Sequence, residues 1–309
     1  MTFGNQDRAP VNHIHLSPSP GLEAPLAASL RRFSLETTTR PRMVGDVIDA
    51  PLEPGTSVYL TALPGDRPQD ILSTATRLKE AGLNPVPHLG ARYVARHDDL
   101  DRLMRGLRAV GVSQVLVIGG DLDRPCGPFS SALDLLGTDA FRRAEFRRVG
   151  LAAYPEGHPR IPPPVLAEAM ACKIDFLRRR GVAPYVVTQF CFAAAPIAAW
   201  LDRFAEAFPD IPVHVGLAGP ARIGTLLKYG VACGIGASLR AVRRNAGIAR
   251  LITEIDPAPI IRDLWTIVAP ARRPAQFHFF TFGGIARTVN WVDVTTAEGR
   301  HDMPRAGLR

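Results

Sequence analysis

The feature that most constrains the fold is a recurring order of segments: an amphipathic stretch, a glycine stop, two to four polar or proline residues, then a short β-rich run. It occurs as LKEAGLNPVPHL at residues 78–89, LRAVGVSQVLVIGG at 107–120 and LRRRGVAPYVVTQF at 177–190. Glycine ends a helix because it takes the left-handed conformation without a Cβ clash. A short apolar run rich in β-branched residues reads as a strand covered on both faces. Helix followed by buried strand, repeated, is the pattern of parallel βα units.

Runs of β type fall at residues 32–36, 57–62, 84–88, 114–118, 149–154, 185–190, 212–217 and 276–282, which makes eight. Eight units in about 250 residues is the size of an α/β (β/α)8 TIM barrel. The first gap, RPRMVGDVIDA, has room for one or two helical turns, and the last holds helical patterns around 237–246 and 259–268. A doubly wound sheet would bring a G-x-G-x-x-G turn after an early strand; GIGAS at 234–238 instead follows a helix-like segment. The expected organisation is a flexible arm over residues 1–30, a single barrel domain over 31–295 and a polar tail over 296–309. Removing the residues before Leu30 is expected to leave the fold intact.

With 46% hydrophobic residues the chain has ample material for a core, and no apolar stretch approaches the length of a bilayer span. The first thirty residues lack a basic start followed by an apolar core, so a soluble, cytoplasmic protein is expected. A net charge of +8 favours anionic small-molecule partners, whereas the dispersed arginine pairs lack the interleaved aromatics of a nucleic-acid surface. Homo-oligomerisation is left open. Cys126, Cys172, Cys191 and Cys233 form no C-x-x-C pair, and Cys172 and Cys191 are expected to be buried core residues.

In such barrels chemistry sits at the C-terminal ends of the strands, where Glu36, Thr61, His88, Asp121, Tyr154, Glu156, His158 and Gln189 fall. Glu36, at the mouth of an apolar barrel, suits a general acid whose pKa is raised by lost solvation, or equally a solvated strand-end glutamate. Asp121 closes VLVIGGD, where Gly119 and Gly120 let backbone approach a flat ligand. Its carboxylate either meets such a ring or caps a turn. Gln189 is an amide in an apolar strand and needs partners, supplied by a heterocycle edge or by the protein. Glu156 and His158 lack metal-site spacing, and no metal is expected. VGLAGPARIG at 215–224 is a glycine-rich turn without the GK[ST] of a P-loop, suited to a phosphate or to nothing more than a tight turn.

Taken together, AAYPEGHP, GGD, PHL, VVTQFCF and FHFFTF resemble the methylenetetrahydrofolate reductase family, from about Ser34 to about Trp291. The resemblance implies an FAD-containing barrel of one-carbon metabolism that moves a hydride from NADH or NADPH, by way of the flavin, to methylenetetrahydrofolate, giving 5-methyltetrahydrofolate in a ping-pong cycle. It implies Glu36 and Asp121 as catalytic residues, the first as general acid and the second beside flavin and pterin. It implies Thr61, His88, Gly120, Asp121, Tyr154, His158 and Lys173 as cofactor-binding, and Glu36, Asp121 and Gln189 as substrate-binding. Three departures stand out: TTTRP follows Glu36 in place of an aromatic pair and prolines, Gly119 replaces an arginine, and Gly283-Gly284 replaces Asn-Arg. The other readings are a flavin-free, pterin-binding methyltransferase barrel and a non-catalytic folate- or FAD-binding homologue.

Overall fold

The computed structural model describes residues 24–232 and 254–298. Cys233, GIGAS and the helical pattern at 237–246 lie outside the described residues.

Eight parallel strands close into a barrel: β1 (Ser34–Thr37), β2 (Ser57–Leu60), β3 (Asn84–Gly90), β4 (Gln114–Ile118), β5 (Arg148–Ala153), β6 (Ala183–Thr188), β7 (Val213–Ala218) and β10 (Gln276–Phe280). Each pairs with its neighbour in chain order, and β10 returns to β1 with Ser34 opposite His278. Between β7 and β10, β8 (Ala221–Arg222) and β9 (Glu254–Ile255) form a short antiparallel pair outside the barrel. The TIM barrel expected from the repeated segments is the fold observed, each strand lying on the run assigned to it.

The helices follow from their sequences. Helix α3 (Pro68–Glu80) begins with a proline, carries Asp70 in its first turn and Arg77 and Lys79 in its last, matching the helix dipole. Helix α4 (His97–Ala109) buries Leu100, Leu103, Met104 and Leu107 at spacings of one helical face. Each such side chain contributes about 1.5–3 kcal/mol relative to exposure. Helix α7 (Pro163–Arg179) turns Met170, Ile174 and Leu177 inward. That rotation puts Cys172 outside, so the expectation of a buried thiol is corrected; Cys191 is buried as expected. No helix among the described residues is long and apolar enough to cross a membrane.

Helices lie at both ends of the barrel. Ala24–Leu30, assigned to a flexible arm, form helix α1, with Leu26, Ala27 and Leu30 buried. It packs on β10 and on α11 (Ile285–Glu298). Helix α11 in turn runs past the expected start of the polar tail, and Thr296 is buried within it. Arg31 fastens the two by donating to the Thr296 carbonyl at 3.0 Å. A seven-residue helix is not stable alone, so its order comes from packing against sequence-distant partners.

Inside the barrel, where branched aliphatic residues usually dominate, polar aromatics fill much of the space. Tyr59, Tyr185, His88, His214 and His278 are all buried. Tyr59 Oη lies 3.1 Å from Tyr185 Oη and 3.4 Å from His214 Nδ1. Gly150 makes room for this layer, since a Cβ there would stand 2.8 Å from the Tyr185 ring and from Leu116.

Candidate active site

Alternation along β1 sends Ser34 and Glu36 into the barrel and Leu35 toward the helices. At the C-terminal end, Glu36 meets three side chains from other strands. Its Oε2 accepts from Thr61 Oγ1 at 3.1 Å, and its Oε1 lies 3.1 Å from His278 Nε2 and 3.7 Å from His88 Nε2. The far nitrogen of His278, Nδ1, is 3.0 Å from Ser34 Oγ. Thr281 clamps the strand by donating to the Glu36 carbonyl at 2.8 Å. The carboxyl is 13% exposed and the His278 ring is 0% exposed, so this cluster works in a largely dry environment.

Burial, the largest single influence on Glu36, pushes its pKa up. The hydrogen bond from His278, the electrostatic influence of the His88 and His278 imidazoles and the Thr61 hydroxyl together outweigh it and hold the carboxyl below its ordinary value. The expected upward shift is thereby corrected, because its opponents come from β3, β10 and the residue just past β2.

Burial lowers His88 to about 4, against the pull of Glu36, and His214 to about 3, with the neighbouring His278 imidazole adding to the effect in both. An unfolded histidine titrates near 6.5, so as pH falls below about 6.5 toward 4 the unfolded chain binds more protons and stability is lost. Glu36 adds to the loss at still lower pH, as its depressed folded-state pKa is crossed. The urea midpoint is expected to fall between pH 7 and pH 4.5, and His214→Gln to flatten that slope. A midpoint independent of pH over this range would contradict the assignment of neutral buried histidines.

A second group lies on the loops after β4 and β5. Asp121 sits three residues past the end of β4 and is exposed, rather than closing the strand. Its N–H donates to Tyr93 Oη at 3.0 Å, and its carbonyl accepts from Arg160 at 3.0 Å, so the backbone is held on both sides of the carboxylate. Arg160 also pairs with Asp123, tying the β5 loop to the β4 loop. Tyr154 and His158 meet edge to face at 5.0 Å, and His158 is pushed down by burial and by Arg160, against the pull of Asp121. Gly120 has φ +93°, a conformation open to glycine. Among the described residues, no other atom lies within 4 Å of where a Cβ would stand at Gly119 or Gly157, leaving bare backbone on both loops.

The structure therefore brings Glu36, Thr61 and His88 into one cluster and Asp121, Tyr154 and His158 into another. Gln189 stands apart, its Oε1 accepting from the Phe190 N–H at 3.1 Å and its N–H bonded to the Ala153 carbonyl. Lys173 shares the inward face of α7 with Met170 and Ile174, and burial lowers its pKa. His278, Ser34, Tyr93 and Arg160 were not singled out from sequence. For His278 a signal existed: a polar residue alternating with Phe277 and Phe279 must face the barrel interior. A recess of about 250 Å³ opens beside His88, floored by Ile71, Leu89, Leu100 and Leu103.

Residues 61–223, over half of the chain, match the family described as methylenetetrahydrofolate reductase. The chain belongs to the methylenetetrahydrofolate reductase family. Among solved structures it is similar to dihydropteroate synthase (FolP) from Thermus thermophilus, at 14% identity and a TM-score of 0.44, over 87% of this chain and 95% of that one.

Two departures from the reductase family's usual pattern now have different physical readings. Gly283 is demanded by packing, since a Cβ there would stand 1.9 Å from the Pro220 carbonyl oxygen. Gly283→Asn is expected to cost about 1–3 kcal/mol or more through backbone displacement. An unchanged melting temperature would show that the turn yields freely. Gly119, by contrast, has open space around it, so packing does not require a glycine there. The glycine-rich turn after β7 is closed, its Gly219 N–H bonded to the Phe280 carbonyl at 3.0 Å and its α-carbon against Thr288.

Proposed function

We propose that this reductase-family chain interconverts 5,10-methylenetetrahydrofolate and 5-methyltetrahydrofolate, with NADH or NADPH as electron donor and FAD as carrier between them. The observation that carries this reading is Glu36, a carboxyl at the C-terminal mouth of the barrel held by Thr61, His278 and His88. A dry carboxyl with fixed partners suits proton delivery to a substrate nitrogen.

The residues fit a flat cofactor with an anionic tail. Bare backbone at Gly119 and Gly157 admits a ring closely, and the buried His88 Nε2 has no hydrogen-bond partner among the described residues. In this reading Thr61, His88, Gly120, Asp121, Tyr154 and His158 hold the flavin, and the Lys173 ammonium serves its phosphates. When bound, FAD supplies a two-electron carrier between nicotinamide and folate.

The protein does the rest. Glu36 gives a proton to N10 of the substrate as the bond from N10 to the methylene carbon breaks, with its electron pair staying on N10. The methylene group is left as an iminium at N5, which the Asp121 carboxylate stabilises electrostatically and which accepts hydride. Gln189 contributes its amide to the folate ring.

The test is an anaerobic visible spectrum of the protein with added FAD. Bleaching by NADH and recovery of colour on adding methylenetetrahydrofolate are expected. A protein that oxidises NADH with the folate yet retains no flavin would remove FAD from the account while keeping Glu36. A colourless protein with no NADH oxidation that moves a methyl group to another acceptor would favour the methyltransferase alternative.

A further inference from the structure

We infer that Ser34, His278 and Glu36 form one proton-donating unit, in which Ser34 fixes the His278 ring and His278 positions the Glu36 carboxyl and stabilises the charge left on it after proton transfer. This rests on the reading of Glu36 as the acid and assigns the residues that make it one.

With Glu36 ionised, its contacts assign the direction of each donor. An ionised carboxylate only accepts, so the contact of 3.1 Å between His278 Nε2 and Glu36 Oε1 places the imidazole hydrogen on Nε2. In the neutral ring Nδ1 is then an acceptor, and Ser34 Oγ at 3.0 Å donates to it. The ring is locked as well as paired: Tyr59 lies against it at 4.5 Å and Phe280 at 5.2 Å between ring centroids. Ser34 is itself 0% exposed, so its hydroxyl is out of reach of substrate and can act only through the histidine.

When Glu36 releases its proton to N10, a negative charge appears on a nearly buried carboxyl. A donor already placed at Oε1 stabilises that charge without rearrangement, and Thr61 does the same at Oε2. The proton leaves Glu36 alone, and His278 keeps its Nε2 hydrogen throughout. The other groups facing this pair are Tyr59 on β2, His88 on β3, Tyr185 on β6, His214 on β7 and, over Tyr185, Arg148 on β5. His88 and His214, at about 4 and about 3, are neutral at pH 7, and both phenols are pushed up by burial. A purely structural role would satisfy two buried polar groups and do nothing to the acid's titration.

Because the Glu36 carboxyl is held below its ordinary value, the experiment is single-turnover formation of 5-methyltetrahydrofolate from methylenetetrahydrofolate and NADH across pH 4–8, for the wild type, His278→Leu, His278→Gln, Ser34→Ala and Glu36→Gln. Removing a donor that favours the carboxylate raises the acid's pKa. In His278→Leu the pH at which the rate falls is therefore expected to move up by about one unit, with the optimum rate down about 100-fold. Gln, which can present an amide N–H to Oε1, is expected to restore the limb toward its wild-type position. Ser34→Ala is expected to lose about fivefold. Superimposable limbs for the wild type and His278→Leu, with the rate abolished in Glu36→Gln, would overturn this inference alone. A rate retained in Glu36→Gln would overturn the acid assignment beneath it. Should the Leu variant not fold, ¹⁵N spectra of the wild-type imidazoles decide: hydrogen on Nε2 of His278 is expected, and hydrogen on Nδ1 would refute the arrangement.

Discussion

Glu36→Gln is expected to reduce 5-methyltetrahydrofolate formation by about 10²- to 10⁴-fold, the usual span for loss of a positioned general acid. The substitution keeps size and shape, and the amide oxygen can still accept from His278 Nε2 while the Thr61 hydroxyl can accept from the amide nitrogen. The fold is thus retained and the melting temperature should stay close to that of the wild type. What is lost is the titrating proton. In the proposed cycle, electron transfer from NADH to flavin takes no proton from this carboxyl and is expected to proceed at a nearly unchanged rate. Equal loss in both half-reactions, measured by stopped-flow absorbance, would show that Glu36 supports cofactor placement rather than proton delivery.

Leu26→Ala and Leu30→Ala are each expected to lower stability by about 2–5 kcal/mol, as buried leucine truncations do. Leu30 is 0% and Leu26 2% exposed, and the helix carrying them lies against β10 and α11. Against a typical total of about 5–15 kcal/mol, losing both removes a large share. The effect should reach the site, because β10 also carries His278 and pairs with β1 through Ser34. Denaturant midpoints measured for the two single variants and the double variant would check this. Midpoints within experimental scatter of the wild type would return Ala24–Leu30 to the status of a dispensable arm.

How much of this was legible in the sequence depended on how local the cause was. The barrel strands announced themselves through runs such as QVLVI and YVVT, each bounded by glycine, proline or polar residues within a few positions. The placement of Glu36, Thr61 and His88 at strand ends followed from that assignment, and the structure joins those three directly. The pKa direction of Glu36 was not legible, because its burial is a local property while His278 is 242 residues away and arrives only when β10 closes the barrel. The same closure hid Ser34, whose value lies in standing opposite His278. Helix α1 was missed for a related reason: APLAASL has too little periodicity to announce a helix, and its stability comes from α11 at the other end of the chain. Cys172 failed on a smaller point, since one residue of rotation along α7 separates the inward face from the outward one.

The most direct test of the central claim is to incubate the purified protein anaerobically with FAD, NADH and methylenetetrahydrofolate, and to quantify folates by chromatography against NADH consumed. One 5-methyltetrahydrofolate formed per NADH oxidised is the expected result. Folded protein that binds the folate, shown by calorimetry, yet forms no 5-methyltetrahydrofolate in either direction would contradict the account.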